Sequence, residues 1–124
     1  MSKTEKQKTG ANGEDLASLF LIEKGYNIVS RNYRAKGGEL DIVAWHNKNT
    51  NEKTLCFVEV KTRRKNDGSA ERATNEQKLR RLFHAAHKYC LENKINTEKT
   101  FIQFEQVSVY TDTNKCVHYV IPVD

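Results

Sequence analysis

Hydrophobic positions along the chain follow two rhythms, one helical and one of strands. In residues 12–25, "NGEDLASLFLIEKG", Leu16, Ala17, Leu19, Phe20 and Leu21 build an apolar face at helical spacing. Asn12 suits the cap, Glu14 and Asp15 the first turn, and Gly25 the stop. "YNIVSRNYR" then reads as a strand and "AKGG" as its turn. "ELDIVAW" is a second strand, with Leu40, Ile42 and Ala44 on one face and Glu39, Asp41, Val43 and Trp45 on the other. "HNKNTNEK" is a hairpin loop. It leads into "LCFVEVKT", residues 55–62, which begins apolar on both faces and is therefore expected at the centre of a sheet covered on both sides. A charged connection, "RRKNDGSAERA", precedes a long helix from Thr74, where Thr74 and Gln77 have capping-box spacing. Leu79, Leu82, Phe83, Ala86, Tyr89 and Cys90 form its apolar stripe, and Arg80, Arg81, His84 and Lys88 its outer face. "FIQFEQVSVY" and "KCVHYVIPV", joined by "TDTN", are two last strands. The order αβββαββ predicts an α/β fold, a central mixed sheet flanked by helices.

Composition adds limits to this outline. A chain of 124 residues is expected to form one domain, here residues 11–124, after a flexible basic tail over residues 1–10, "MSKTEKQKTG". Twenty-one basic against 16 acidic residues give a net charge of +5, which points either to a polyanionic partner or to a solvated basic surface. There is no apolar leader-like run and no segment of membrane-spanning length, so a cytoplasmic protein without a membrane partner is expected. Cys56, Cys90 and Cys116 lie far apart and read as small core residues in a reducing compartment. His84, His87 and Cys90 follow at steps of three, which spreads them around a helix and argues against a zinc site.

Candidate chemistry lies where the second and third strands meet. A short loop joins them, so they are expected to pair antiparallel, bringing Asp41 and Glu59 to one end of the sheet with Lys61 beside them. Glu14, on or near the sheet-facing stripe of the first helix, is placed to join them, or else merely to suit the helix dipole. Carboxylates about 4 Å apart repel by roughly 4 kcal/mol at an effective dielectric near 20, so a proton, Lys61 or a divalent cation must offset them. Asp41 and Glu59, with a carbonyl and waters, suit Mg2+ or Mn2+, and Lys61 could stabilise charge on a phosphoryl transition state. The alternative for "EVK" alone is a solvated strand face carrying a weak salt bridge.

With these residues in place, "GELDIVAW" followed by "FVEVKTR" resembles the signature of the PD-(D/E)XK nuclease superfamily, and most closely its YraN-like family, relatives of Holliday-junction resolvases. The likeness extends to "NGEDLASLFLIEKGYNIVSRNYRAKGGELDIVAW" and to "NEQKLRRLFHAAHKYC", nearly the whole chain. It implies a restriction-endonuclease-like fold. It implies Asp41 and Glu59 as metal ligands, Lys61 as the catalytic lysine and Glu14 as the acid of the first helix. Gln77 and Lys78 would face the cleft from the second helix, with a cap and an exposed lysine as the alternative. Arg31, Arg34, Arg63 and Arg64 would flank the cleft and hold phosphates, where generic surface arginines are the other reading. Departures are Leu40 in place of proline before Asp41, and Gln103 and Glu105 where an Arg-Phe-Asp stretch is usual.

The resulting expectation is a Mg2+- or Mn2+-dependent endonuclease that hydrolyses DNA phosphodiester bonds, with branched or nicked DNA as the substrate class. No base-reading motif is present, so recognition by shape is favoured over sequence. The alternatives are a nucleic-acid-binding module that keeps the fold without catalysis, and a protein-interaction role. A homodimer is left open, since resolvase-like relatives act on two equivalent strands.

Overall fold

The computed structural model of the chain describes residues 5–47, 52–64 and 76–123. The elements are α1 (Glu5–Glu23), β1 (Asn27–Ala35), β2 (Gly38–His46), β3 (Thr54–Arg63), α2 (Glu76–Glu92), β4 (Phe101–Tyr110) and β5 (Lys115–Val120). All five strands form one sheet in chain order. β3 and β4 run parallel, with α2 as their crossover, and the other neighbours pair antiparallel. β3 is therefore the middle strand, as its doubly apolar start predicted. Among the described residues no helix is long and apolar enough to cross a membrane.

Alternation along the strands feeds two cores. Val43, Leu55 and Phe57 pack with Leu82, Ala85, Ala86, Tyr89 and Cys90 of α2. Ile42, Ala44, Cys56, Val58, Val107 and Val109 pack on the opposite face with Ala17 and Leu21 of α1. Of the apolar face expected for α1, Leu19 instead points outward and is 58% exposed.

Residues 5–10, expected as a loose tail, belong to α1, which starts seven residues before the cap anticipated at Asn12. Helix-favouring Glu5, Lys6, Gln7 and Lys8 extend the helix without any apolar periodicity to announce it. Thr74, the cap expected for α2, lies outside the described residues. Gly13 lets α1 approach the sheet closely, since a Cβ there would run into the Thr62 side chain on β3. That contact fixes the height at which the next residue, Glu14, meets the sheet.

One irregularity shapes the site end of the sheet. Arg31 pairs with Ile42, and Arg31 bonds Asp15 of α1. Tyr33 pairs with Leu40, yet Tyr33 stacks edge-on against Tyr89 of α2, on the other face. Between these two pairs lies Asn32, whose φ of 56° is left-handed. Asn is among the few side chains that tolerate this conformation. The two strands exchange faces there, so Leu40 joins the α2 core rather than siding with Ile42 and Ala44 as strict alternation predicted. Asp41 stands at the point of exchange.

Candidate metal and phosphate site

The β2–β3 ladder ends at Ile42 paired with Val58. Continued by two residues it would bring Val60 opposite Leu40. Instead the Val60 N–H donates to Asp41 Oδ2 at 2.7 Å, so the carboxylate occupies the gap where the strands part. Glu59 and Lys61 share the α2 side of β3 with Phe57, two residues apart in each case. Lys61 Nζ lies 2.9 Å from Glu59 Oε1, with only 13% and 18% of the two side chains exposed. This is not the solvated pair of the alternative reading.

A cleft of about 660 Å³ opens above these groups. Asp41, Glu59 and Lys61 line it together, with Lys78, Arg81 and Leu82 from α2 and Arg34, Gly37, Gly38 and Glu39 from the β1–β2 hairpin. Glu14, on α1, does not line the cleft. It lies 3.7 Å from Arg31, and its charge helps to raise the Asp41 acid.

Burial, with the charges of Glu14, Glu39 and Glu59, pushes Asp41 from 3.8 to about 6 against the opposing pull of the Val60 N–H. Burial draws Lys61 down, but its bond to Lys78 and the Glu59 and Asp41 carboxylates outweigh that, and its pKa stands above the ordinary value. Lys78 shifts the opposite way, lowered by the bond to Lys61 and by burial.

The linkage has a definite sign. Between pH 4 and 6 the folded, metal-free chain keeps a proton on Asp41 that the unfolded chain releases, so this group lowers stability as pH rises through that window. The loss should be on the order of 2–3 kcal/mol. Urea melts in chelator at pH 4 and pH 7 should show it as the difference between wild type and Asp41→Asn, which lacks the titration.

Other sequence candidates fall around the cleft. Lys78 and Arg34 line it. Arg63 lies close enough to lower the Lys78 pKa, and its guanidinium donates to the Thr62 carbonyl at 2.9 Å. Arg64 is exposed, and its carbonyl accepts from the Asp112 N–H at 3.1 Å. Arg31 is engaged on the α1 side by Asp15 at 3.0 Å, and Gln77 is exposed at the start of α2; neither lines the cleft.

Arg81 is exposed, as the outer-face reading had it, but it also lines the cleft, a role the sequence reading did not give it, and Glu39 had not been singled out. The available signal for Arg81 was its spacing of three from Lys78.

The donor set fits a hard divalent cation. Asp41 and Glu59 offer carboxylate oxygens on one cleft wall, and the Asp41 acid is raised first by burial and then by the neighbouring acids Glu14, Glu39 and Glu59. Among the described residues no group of three or more His, Cys, Asp or Glu side chains is arranged to hold a metal.

Comparison with known proteins places the chain. The model of the uncharacterised protein family UPF0102 matches residues 13–109, from the glycine before Glu14 to Val109 near the end of β4. The chain belongs to the UPF0102 family. A UPF0102 protein of Pelobacter propionicus is 37% identical over 109 residues, covering 87% of this chain and 74% of the relative. One of Koribacter versatilis is 42% identical over 117 residues, 90% and 74% of the two chains. A third, of Corynebacterium efficiens, is 40% identical over 110 residues, 89% and 84%. The matched span contains Asp41, Glu59 and Lys61, so in this UPF0102 chain the cleft lies wholly within the family region.

Proposed function

We propose that this protein is a metal-dependent nuclease of restriction-endonuclease-like fold, hydrolysing DNA phosphodiester bonds with a preference for branched or nicked forms. One observation carries the reading: two carboxylates and a paired lysine, brought from two splayed strands, line a single cleft together. A binding module would gain nothing from acids that repel phosphate, whereas a phosphodiester hydrolase needs them.

Asp41 and Glu59 would hold Mg2+ or Mn2+. The ion, when bound, supplies Lewis-acid stabilisation of phosphoryl charge. The protein's own share is positioning. Asp41 is oriented by the Val60 N–H, and Glu59 by Lys61. Lys61, protonated and largely buried, presents its ammonium to the phosphoryl oxygens, where negative charge grows as water adds and the leaving oxygen departs. Lys78 lines the same cleft from α2.

Linear, nicked, flapped and four-way DNA incubated with Mg2+ or Mn2+ tests the reading. Cleavage of at least one form is expected, and Lys61→Ala should slow it by about 10²–10³-fold. DNA binding that is indifferent to metal, with no form cut, would favour the non-catalytic binding module instead.

A further inference from the structure

The cleft extends beyond the acids to a second cationic end. Gly38, the first residue of β2, packs against α2 so tightly that a Cβ there would run into the Arg81 carbonyl oxygen. This contact ties Arg81 to the hairpin only three residues before Asp41. Arg81 follows Lys78 by three along α2, a spacing that puts Cβ atoms about 5–6 Å apart on one helix face. Arg34 enters from the facing strand, where it is 83% exposed and only 3.9 Å from Glu39, an arrangement easily exchanged for a better anion. Arg81 makes no ion pair among the described residues. Lys78 and Arg81 of α2 and Arg34 of β1 thus line one cleft together with Lys61.

We infer that Arg81, with Arg34, forms a subsite for the phosphate adjacent to the one held over Asp41 and Glu59, so that the ligand is a polynucleotide strand and not a mononucleotide. Successive charges along one strand of a duplex advance by about 3.4 Å of axis, which a row of side chains at helical spacing can follow. A planar guanidinium suits such a site, since it grips phosphate oxygens two at a time. The subsite presupposes the phosphodiester reading of the neighbouring carboxylates.

Binding of a fluorescein-labelled 20-base-pair duplex, measured by anisotropy in EDTA over a range of salt, tests it without cleavage. The slope of log K against log salt should become shallower by about 0.9 in Arg81→Ala, the share of one phosphate contact. Arg81→Lys, which keeps the charge, should restore the slope, and Lys88→Ala, an exposed cation of α2 outside the cleft, should leave it unchanged. Equal slopes for wild type and Arg81→Ala, or equal losses in Arg81→Ala and Lys88→Ala, would overturn the subsite while leaving the nuclease reading intact. No binding of the duplex by wild type at any salt would likewise overturn the subsite, whereas failure of the nuclease reading is read separately, from the absence of cleavage of every DNA form with metal.

Discussion

Asp41→Asn is expected to reduce metal-dependent DNA cleavage by at least about 10³-fold while making the metal-free protein more stable. The first effect follows from removing one of the two proposed oxygen donors, a loss of about 4 kcal/mol of transition-state stabilisation. The second follows from the site's own electrostatics. At pH 8 the wild-type chain must ionise a carboxyl whose pKa is pushed up to about 6 by burial and by Glu14, Glu39 and Glu59. An amide carries no such charge, and its oxygen can still accept the Val60 N–H. Stability in chelator should rise on the order of 2 kcal/mol, several degrees in Tm for a domain of this size. Loss of activity through misfolding would move Tm the other way, so a thermal melt beside the cleavage assay separates the two causes.

His118→Ala is expected to have the largest effect on stability, far from the cleft chemistry. Glu105 is fully buried on the α1 side of β4. Its Oε1 accepts from the Tyr26 hydroxyl at 2.7 Å and is also bonded by the His118 ring, while Gln103 donates to Oε2 at 3.2 Å. Removing His118 strips the buried carboxylate of a principal partner and opens space beside Phe20 and Tyr26, whose rings stack edge-on against it. A loss of about 3 kcal/mol, roughly 10 °C, should appear in urea and thermal melts. The double variant Glu105→Leu with His118→Phe should recover part of it, because a buried polar pair removed together leaves no orphaned charge. An unchanged melting curve for His118→Ala would mean that the histidine contributes little to holding Glu105.

What the sequence disclosed, and what it hid, divides along physical lines. Asp41, Glu59 and Lys61 were legible because strand alternation and a short hairpin loop together determine which residues meet, and both are local properties. The central place of β3 was legible from its doubly apolar start. Leu40 was assigned to the wrong face because the exchange is made by the backbone of Asn32, whose left-handed φ leaves no trace in a hydrophobic pattern. Arg81 was hidden because its exposure on α2 is genuine; only the packing of Gly38 against that helix turns the exposed side into a cleft wall. The Glu105 cluster joins residues 26, 103, 105 and 118 across the fold, so the isolated acid in β4 was visible while its partners were not. The early start of α1 had no apolar periodicity in the sequence to mark it.

Calorimetric titration of the chain with Mn2+ at pH 6 bears most directly on the cleft's chemistry. Wild type should bind one ion and release a fraction of a proton, as Asp41 gives up the one it holds at that pH. Asp41→Asn and Glu59→Gln, each folded by circular dichroism, should bind at least about 100-fold more weakly. Absence of Mn2+ binding by wild type, or binding that survives both substitutions unchanged, would contradict the assignment of these two carboxylates as the ligands of a divalent ion.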